Sequence, residues 1–312
     1  MRVMLDFRNI TQDMKGLIDS YTYRYGEGSC QHSFVSSFCL RSKYGDMFCE
    51  HDGFLYTLRS LKCTDTERVY LFPHGDRHNL FAVSQAVRNV IDDAHEHGAK
   101  VRFETLTAGA KDIVRSMFPG QFTAEYRRDY AEYIYTVNSM STFAGAELAY
   151  KRRDYQRFLR DYEGRYEAAR ITPADIDAVR EFQREWLEAK LSGTHDAEAA
   201  AQVMNEDDGI QIALDNFAVL GLSGITVKID GKIKGYAYGA KLSDEYFNDI
   251  NENCNHNIPN IYPFLRHELA RLCCEGYKYI NFEEDVGSES LRAAKNHYKP
   301  AFLIEKFILR EA

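Results

Sequence analysis

The densest supply of chemically capable side chains lies between residues 281 and 298, where Asn281, Glu283, Glu284, Asp285, Arg292, Lys295 and Tyr298 follow one another. Carboxylates beside cations suit acyl or aminoacyl transfer. That reaction needs an acceptor relieved of its proton, a carbonyl held close to it, and donors or cations for the tetrahedral oxyanion. In this reading Glu284 or Asp285 is the general base or orients the acceptor. Lys295 and Arg292 hold the carbonyl or a phosphate, and Asn281 and Tyr298 line the same place. The same stretch also reads as an acidic capping turn followed by an exposed, charged helix.

A strand at 277–282 and a helix at 288–298 must position these groups. Strand alternation puts Asn281 and Glu283 on one face, with Phe282 and Glu284 on the other. On the helix, Arg292, Lys295 and Tyr298 recur three apart and share a face. Ligands in α/β sheets sit where strands end. A strand at 245–253 carries a further candidate base, Glu252, with Asp249 as its alternative; a solvated strand acid is the plainer reading. Tyr236 and Tyr238 on the neighbouring hairpin read as core before they read as pocket wall.

Phosphate contacts have two candidate sources. Lys151, Arg152 and Arg153, with Arg157 and Arg160, give a basic run in which 153, 157 and 160 share a helical face. Paired with Asp154, Asp161 and Glu163, it is equally a solvated interdomain helix. Arg127, Arg128 and Asp129 interrupt a tyrosine-rich strand and read either as a groove lining or as an ion pair.

Bulk composition narrows the choice. The 312 residues carry a net charge of −8, against a surface that coats DNA or anionic lipid. Seven cysteines, an odd number without CxxC spacing, read as reduced core thiols. The charged N-terminus lacks the apolar run of a signal peptide, and no stretch of about 18 apolar residues occurs. A soluble, cytoplasmic protein is expected. HExxH, GxSxG, GxGxxG and GxxxxGK[ST] are all absent, so no metal-hydrolase, serine-nucleophile, Rossmann or P-loop chemistry is expected.

Along the chain, residues 79–97 show a helical period ended at Gly98, and 101–106 a strand. A helix follows at 108–118, then a strand at 122–137. Residues 47–59 and 225–239 read as hairpins turning at Asp52-Gly53 and Asp230-Gly231. Thr172-Pro173 opens helices at 173–191 and 197–220. A helix at 259–275 and a strand at 301–309 complete the order. The second half runs helix, helix, hairpin, strand, helix, strand, helix, strand, and the first half is a looser version. The predicted class is α/β, with domains at 1–150 and 151–312 and mixed sheets flanked by helices.

The block YINFEEDVGSESLRAAKNHYKPAFLIEKF at 279–307 resembles soluble relatives of the phosphatidylglycerol lysyltransferase C-terminal domain. YGDMFCEHDGFLY at 44–56, KRRDYQRF at 151–158, FQREWLEAK at 182–190 and ALDNFAVLGLSGITVKIDGKIKGYAYG at 213–239 extend the likeness over nearly the whole chain. The resemblance implies two tandem GNAT-like domains. It also implies kinship with lysyl- and alanyl-phosphatidylglycerol synthases and Fem-type enzymes, which move an aminoacyl group from charged tRNA to a hydroxyl or amine. The transmembrane domain of the lipid-modifying enzymes is not in this sequence, so the expected acceptor is a small or peptide-like molecule. Acetyl-CoA-binding GNAT domains carry a glycine-rich [RQ]xxGx[GA] loop for pyrophosphate. The corresponding ENCNHNIPNIYPFL at 252–265 has no glycine, and TLTAGAKDI in the first half has one. That favours aminoacyl-tRNA over acyl-CoA as donor. It also supports an alternative, a non-catalytic small-molecule sensor on the same fold.

Overall fold

The computed structural model describes residues 4–194 and 196–312; residues 1–3, which open the charged N-terminal stretch, and residue 195 lie outside it. Fourteen strands are described: β1 Arg8–Asn9, β2 Asp46–His51, β3 Phe54–Arg59, β4 Glu67–Tyr70, β5 Lys100–Leu106, β6 Phe122–Tyr126 and β7 Glu132–Thr136, then β8 Tyr166–Arg170, β9 Ser223–Ile229, β10 Lys232–Lys241, β11 Tyr246–Cys254, β12 Tyr279–Asn281, β13 Phe302–Ile304 and β14 Phe307–Glu311. They form two seven-stranded sheets, ordered β1-β2-β3-β4-β5-β14-β6 and β13-β7-β12-β11-β10-β9-β8. The chain divides into two compact units. One holds the residues up to Glu132 with Glu284–Ser288 and Leu303–Ala312, the other Tyr133–Glu283 with Glu289–Phe302.

Local chemistry explains most elements. Both hairpins turn on Asp-Gly with both residues in the left-handed region, at φ 47° and 75° for Asp52-Gly53 and 51° and 75° for Asp230-Gly231. That is the tight turn whose twist matches the flanking strands. The helix Leu80–Glu96 starts where the Asn79 side chain accepts a hydrogen bond from the Ala82 N–H, 3.1 Å away. It buries Val83, Ala86, Val87, Val90 and Ala94 against Tyr70, Val101 and Phe103. In the other unit the helices Ile176–Ser192 and Ile261–Cys273 pack on the sheet. Tyr236 and Tyr238 are both core, as the plainer reading had it.

Each sheet includes a parallel strand pair, β4 with β5 and β11 with β12. Two mixed sheets flanked by helices are the expected α/β class. Two expected strands divide. Residues 122–137 break at a 3-10 turn, Arg128–Tyr130, into β6 of one sheet and β7 of the other. Residues 301–309 become β13 and β14, again in different sheets. Uniform strand character says nothing of which sheet a segment joins.

A close approach in the second sheet leaves no room for a side chain. A Cβ on Gly239 would lie 1.8 Å from the Asn248 carbonyl oxygen and 2.5 Å from the Phe247 ring. Backbone on one side cannot swing away. Gly239→Ala is therefore expected to lower stability by about 1–3 kcal/mol, the usual cost of overpacking. Urea unfolding followed by circular dichroism measures it, and an unchanged midpoint contradicts the geometry.

Candidate active site

In the second unit, β11 and β12 stay paired over three residues only: Tyr246↔Tyr279, Phe247↔Ile280 and Asn248↔Asn281. β12 then ends while β11 continues to Cys254. On the other side of β11 the register steps from Gly239↔Asp249 to Tyr238↔Asn251, leaving Ile250 as an extra, bulged residue. A bulge at the point where two strands part re-aims the side chains beside it. Asp249 is the first residue past the parallel pairing.

Asp249 is only 5% exposed, and neither carboxylate oxygen has a hydrogen-bond partner within the chain. Buried polar atoms are nearly always satisfied, so such an exception calls for an explanation. Burial raises its pKa well above the ordinary carboxylate range. Glu252 and Glu283 push the same way, while Arg266 and Lys295 oppose them. A carboxyl group so placed exchanges protons nearer neutral pH than a solvated one.

The groups around it are matched. Both Glu252 oxygens accept from Arg266 Nε, at 2.9 and 2.8 Å. The buried Arg266 stays charged and lies 4.5 Å from the centroid of the Tyr298 ring and 5.5 Å from that of Phe282. Lys151 Nζ stands 4.2 Å from the Tyr298 centroid, and burial, helped by Arg266, lowers its pKa. Tyr298 itself is pushed up to about 12, chiefly by burial. Across the parallel pair, Asn248 donates to Glu283 at 2.9 Å, and the buried Asn281 accepts from the Glu283 N–H at 2.8 Å. Lys295 Nζ donates to the Phe282 carbonyl at 2.5 Å, and Tyr135 donates to the Lys295 carbonyl at 2.7 Å. Thus Glu252, Asn281, Lys295, Tyr298 and Lys151 all belong to this unit, with half-buried Arg292 on the helix Glu289–Asn296.

Two local expectations need correction. The alternation over 281–284 fails, because the strand stops at Asn281 and Glu283 takes a left-handed φ of 57°. Tyr298 does not share a helical face with Arg292 and Lys295, because the helix ends at Asn296. Arg152 is exposed and donates to the Phe143 and Gly145 carbonyls at 2.6 and 3.3 Å, bracing the loop before its own helix, Ala149–Asp161.

Glu284, Asp285 and Arg127 belong to the first unit. Asp285 is fully buried; it pairs with Arg128 at 3.1 Å and accepts from the Gly287 N–H at 3.0 Å, organising its own turn. Glu284 accepts from Cys30 Sγ at 3.9 Å. Arg127 lies in no strand; it stands 3.7 Å from Glu125 and 4.7 Å from the Tyr130 centroid. Sequence reasoning missed Arg266. Its signal was an arginine set among the buried apolar positions Phe264, Leu265, Leu269 and Ala270 of one helix.

The family model described as phosphatidylglycerol lysyltransferase, C-terminal, matches residues 23–310. The chain belongs to this family. Among solved structures, a conserved protein of unknown function from Bacteroides thetaiotaomicron matches at 27% identity and TM-score 0.90, covering 99% of this chain and 100% of that one. The C-terminal domain of a putative lysylphosphatidylglycerol synthetase from Agrobacterium fabrum matches at 11% identity and TM-score 0.66, covering 96% and 93%. L-PGS from Bacillus licheniformis matches at 16% and 0.64, covering 95% and 91%. At these identities the last two show the lysyltransferase-type fold. No protein of curated function matches the chain. Among the described residues, no helix is long and apolar enough to cross a membrane.

Within this family fold, Arg266 carries the charge balance of the second unit. Arg266→Met leaves Glu252 buried without its counter-ion, and stability is expected to fall by about 3–5 kcal/mol. Adding Glu252→Gln in the same chain removes the orphaned charge and restores more than half of the loss. Equal destabilisation of the single and double variants in urea contradicts the pairing.

Proposed function

We propose that the protein is an aminoacyltransferase that moves an aminoacyl group from a charged tRNA to the amine or hydroxyl of a small or peptide-like acceptor in the cytoplasm. Asp249 handles the proton. The observation that carries this reading is the buried Asp249 carboxylate, without a partner in the chain, at the parting of β11 and β12. Family membership supports the reaction class. As the acceptor attacks the ester carbonyl, its proton passes to Asp249. When the intermediate collapses and the carbon–oxygen bond to the tRNA ribose breaks, Asp249 returns that proton to the leaving hydroxyl. Arg266 and Lys295, the cations whose charge Asp249 feels, favour the oxyanion between these steps.

The donor choice follows from the loop after β11. Residues 255–260 contain no glycine, and Asn260, ahead of the helix Ile261–Cys273, gives no side-chain cap. A pyrophosphate cradle of close backbone N–H groups has no counterpart in that sequence, so coenzyme A is the weaker donor. Arg153, Arg157 and Arg160, exposed on the helix Ala149–Asp161, are available to nucleic-acid phosphates.

Asp249→Asn is expected to reduce aminoacyl transfer from charged tRNA by about 10²–10⁴-fold, the usual contribution of a positioned acid–base group. Wild-type activity should rise with pH through a pKa above the ordinary carboxylate range. Stability moves the other way. The folded carboxyl holds its proton more tightly than the unfolded one, so its contribution is fully present below about pH 4 and is lost as pH rises. Asp249→Asn should therefore raise Tm at neutral pH, with the gain vanishing in acid. Full activity of the variant overturns the assignment of Asp249. If charged tRNA raises the wild-type Tm yet no acceptor is ever modified, the protein is a binding module.

A further inference from the structure

The first unit repeats the parting-strand geometry with different side chains. β4 and β5 pair in parallel from Glu67↔Lys100 to Tyr70↔Phe103. β4 then ends, and His74 is pinned instead to Leu55 by two backbone hydrogen bonds of 2.9 Å. β5 runs on to Leu106 and bulges: Phe307↔Leu106 and Leu309↔Phe103 leave two residues of β5 opposite one of β14. Thr105, in that bulge, takes φ 55°, a costly conformation for a β-branched residue and one that clusters at functional sites.

Three buried polar side chains meet there, and buried Gln31 precedes one of them in the 3-10 turn Cys30–His32. Thr105 Oγ1 is 3.4 Å from His32 Nε2, the His32 and His74 rings stand edge to face at 4.8 Å, and Gln31 adjoins His32. His74 is 1% exposed, yet neither of its ring nitrogens has a hydrogen-bond partner within the chain. The same holds for His32 Nδ1 and for both atoms of the Gln31 amide. These five atoms on three side chains ask for partners from outside the chain. Burial lowers both imidazole pKa values, with His74 down to about 3, so both rings are neutral. A neutral imidazole offers one donor and one acceptor nitrogen, and a glutamine amide offers both kinds.

The charges nearby are already matched. Lys306 pairs with Glu132 at 2.7 Å, Arg77 with Glu27 at 2.5 Å, and Arg59 lies 3.4 Å from Asp46 and 3.6 Å from Glu104. An ionic ligand would bring an uncompensated charge into a buried place. An apolar ligand would leave the five atoms unsatisfied. We propose that the parting of β4 and β5 is a second binding site, which takes a small uncharged molecule through a carboxamide-like pair of N–H donor and C=O acceptor, held by His32, His74 and Gln31.

The test needs no activity, so it stands or fails apart from the transfer reaction. The full ¹⁵N-labelled chain is titrated with acetamide and, separately, with acetate, which has the same shape and a charge. Histidine ring-nitrogen shifts are read and assigned with single-histidine variants. Saturable shifts at His32 and His74 with acetamide, and at least about tenfold weaker ones with acetate, support the site. Unmoved rings, or equal responses to both probes, overturn it and leave internal water as the partner. Gln31→Leu, which keeps both rings, should weaken acetamide about 2–10-fold, the worth of a lost hydrogen bond. His74→Phe should abolish the response at His32. If His74→Phe fails to fold, the wild-type titration and Gln31→Leu decide the question.

Discussion

Parallel neighbours share their backbone hydrogen bonds evenly, and when one strand turns away the other faces a gap with nothing of its own chain to fill it. Both sheets are built around such an event, after Asn248 and Asn281 in one and after Tyr70 and Phe103 in the other. A bulge accompanies each parting, at Ile250 and at Thr105. The unsatisfied polar side chains stand within a few residues of these points: Asp249 in the second unit, His74 with its neighbours in the first. A uniform antiparallel sheet offers no such place, because its ladder leaves no interior backbone without a neighbour.

The two partings differ in charge. Around Asp249 the chain spends an arginine on Glu252 and leaves the aspartate alone, which keeps one acid destabilised and reactive. Around His74 each cation stands near a carboxylate, and the two imidazoles are neutral. The two partings thus offer, on the readings proposed above, one site suited to proton transfer and another suited to uncharged recognition. Function lives in such side-chain choices, since the fold alone is shared by many chemistries.

Much of the fold was legible in the sequence because its signals are local. Asp-Gly turns, the 79–97 period and Thr172-Pro173 each act over a few residues, and each appears near its expected place. The sheet membership of β7 and β14 was not legible, since pairings such as β14 with β5 join residues about 200 apart and leave no local trace. The candidate site was half legible. Asp249 and Glu252 could be named from their strand, but which of the two is left without a partner depends on Arg266, from a helix later in the chain. The 281–298 block drew attention by its charge, and its strand ended sooner than alternation implied because Glu283 turns left-handed. His32 and His74 carry no spacing signal, being 42 positions apart and joined only through the first sheet.

The place of β14 has a consequence for how the protein is made. It lies between β5 and β6, inside the first sheet rather than on its edge. A ribosome working at about 5–20 residues per second finishes β5 roughly 10–40 s before β14 exists. For that interval two strands of the earlier-made half wait with unpaired edges, the kind of surface that invites aggregation. The half of the protein that is made first is therefore completed last, and its survival until then rests on its helices or on a chaperone that holds the open seam.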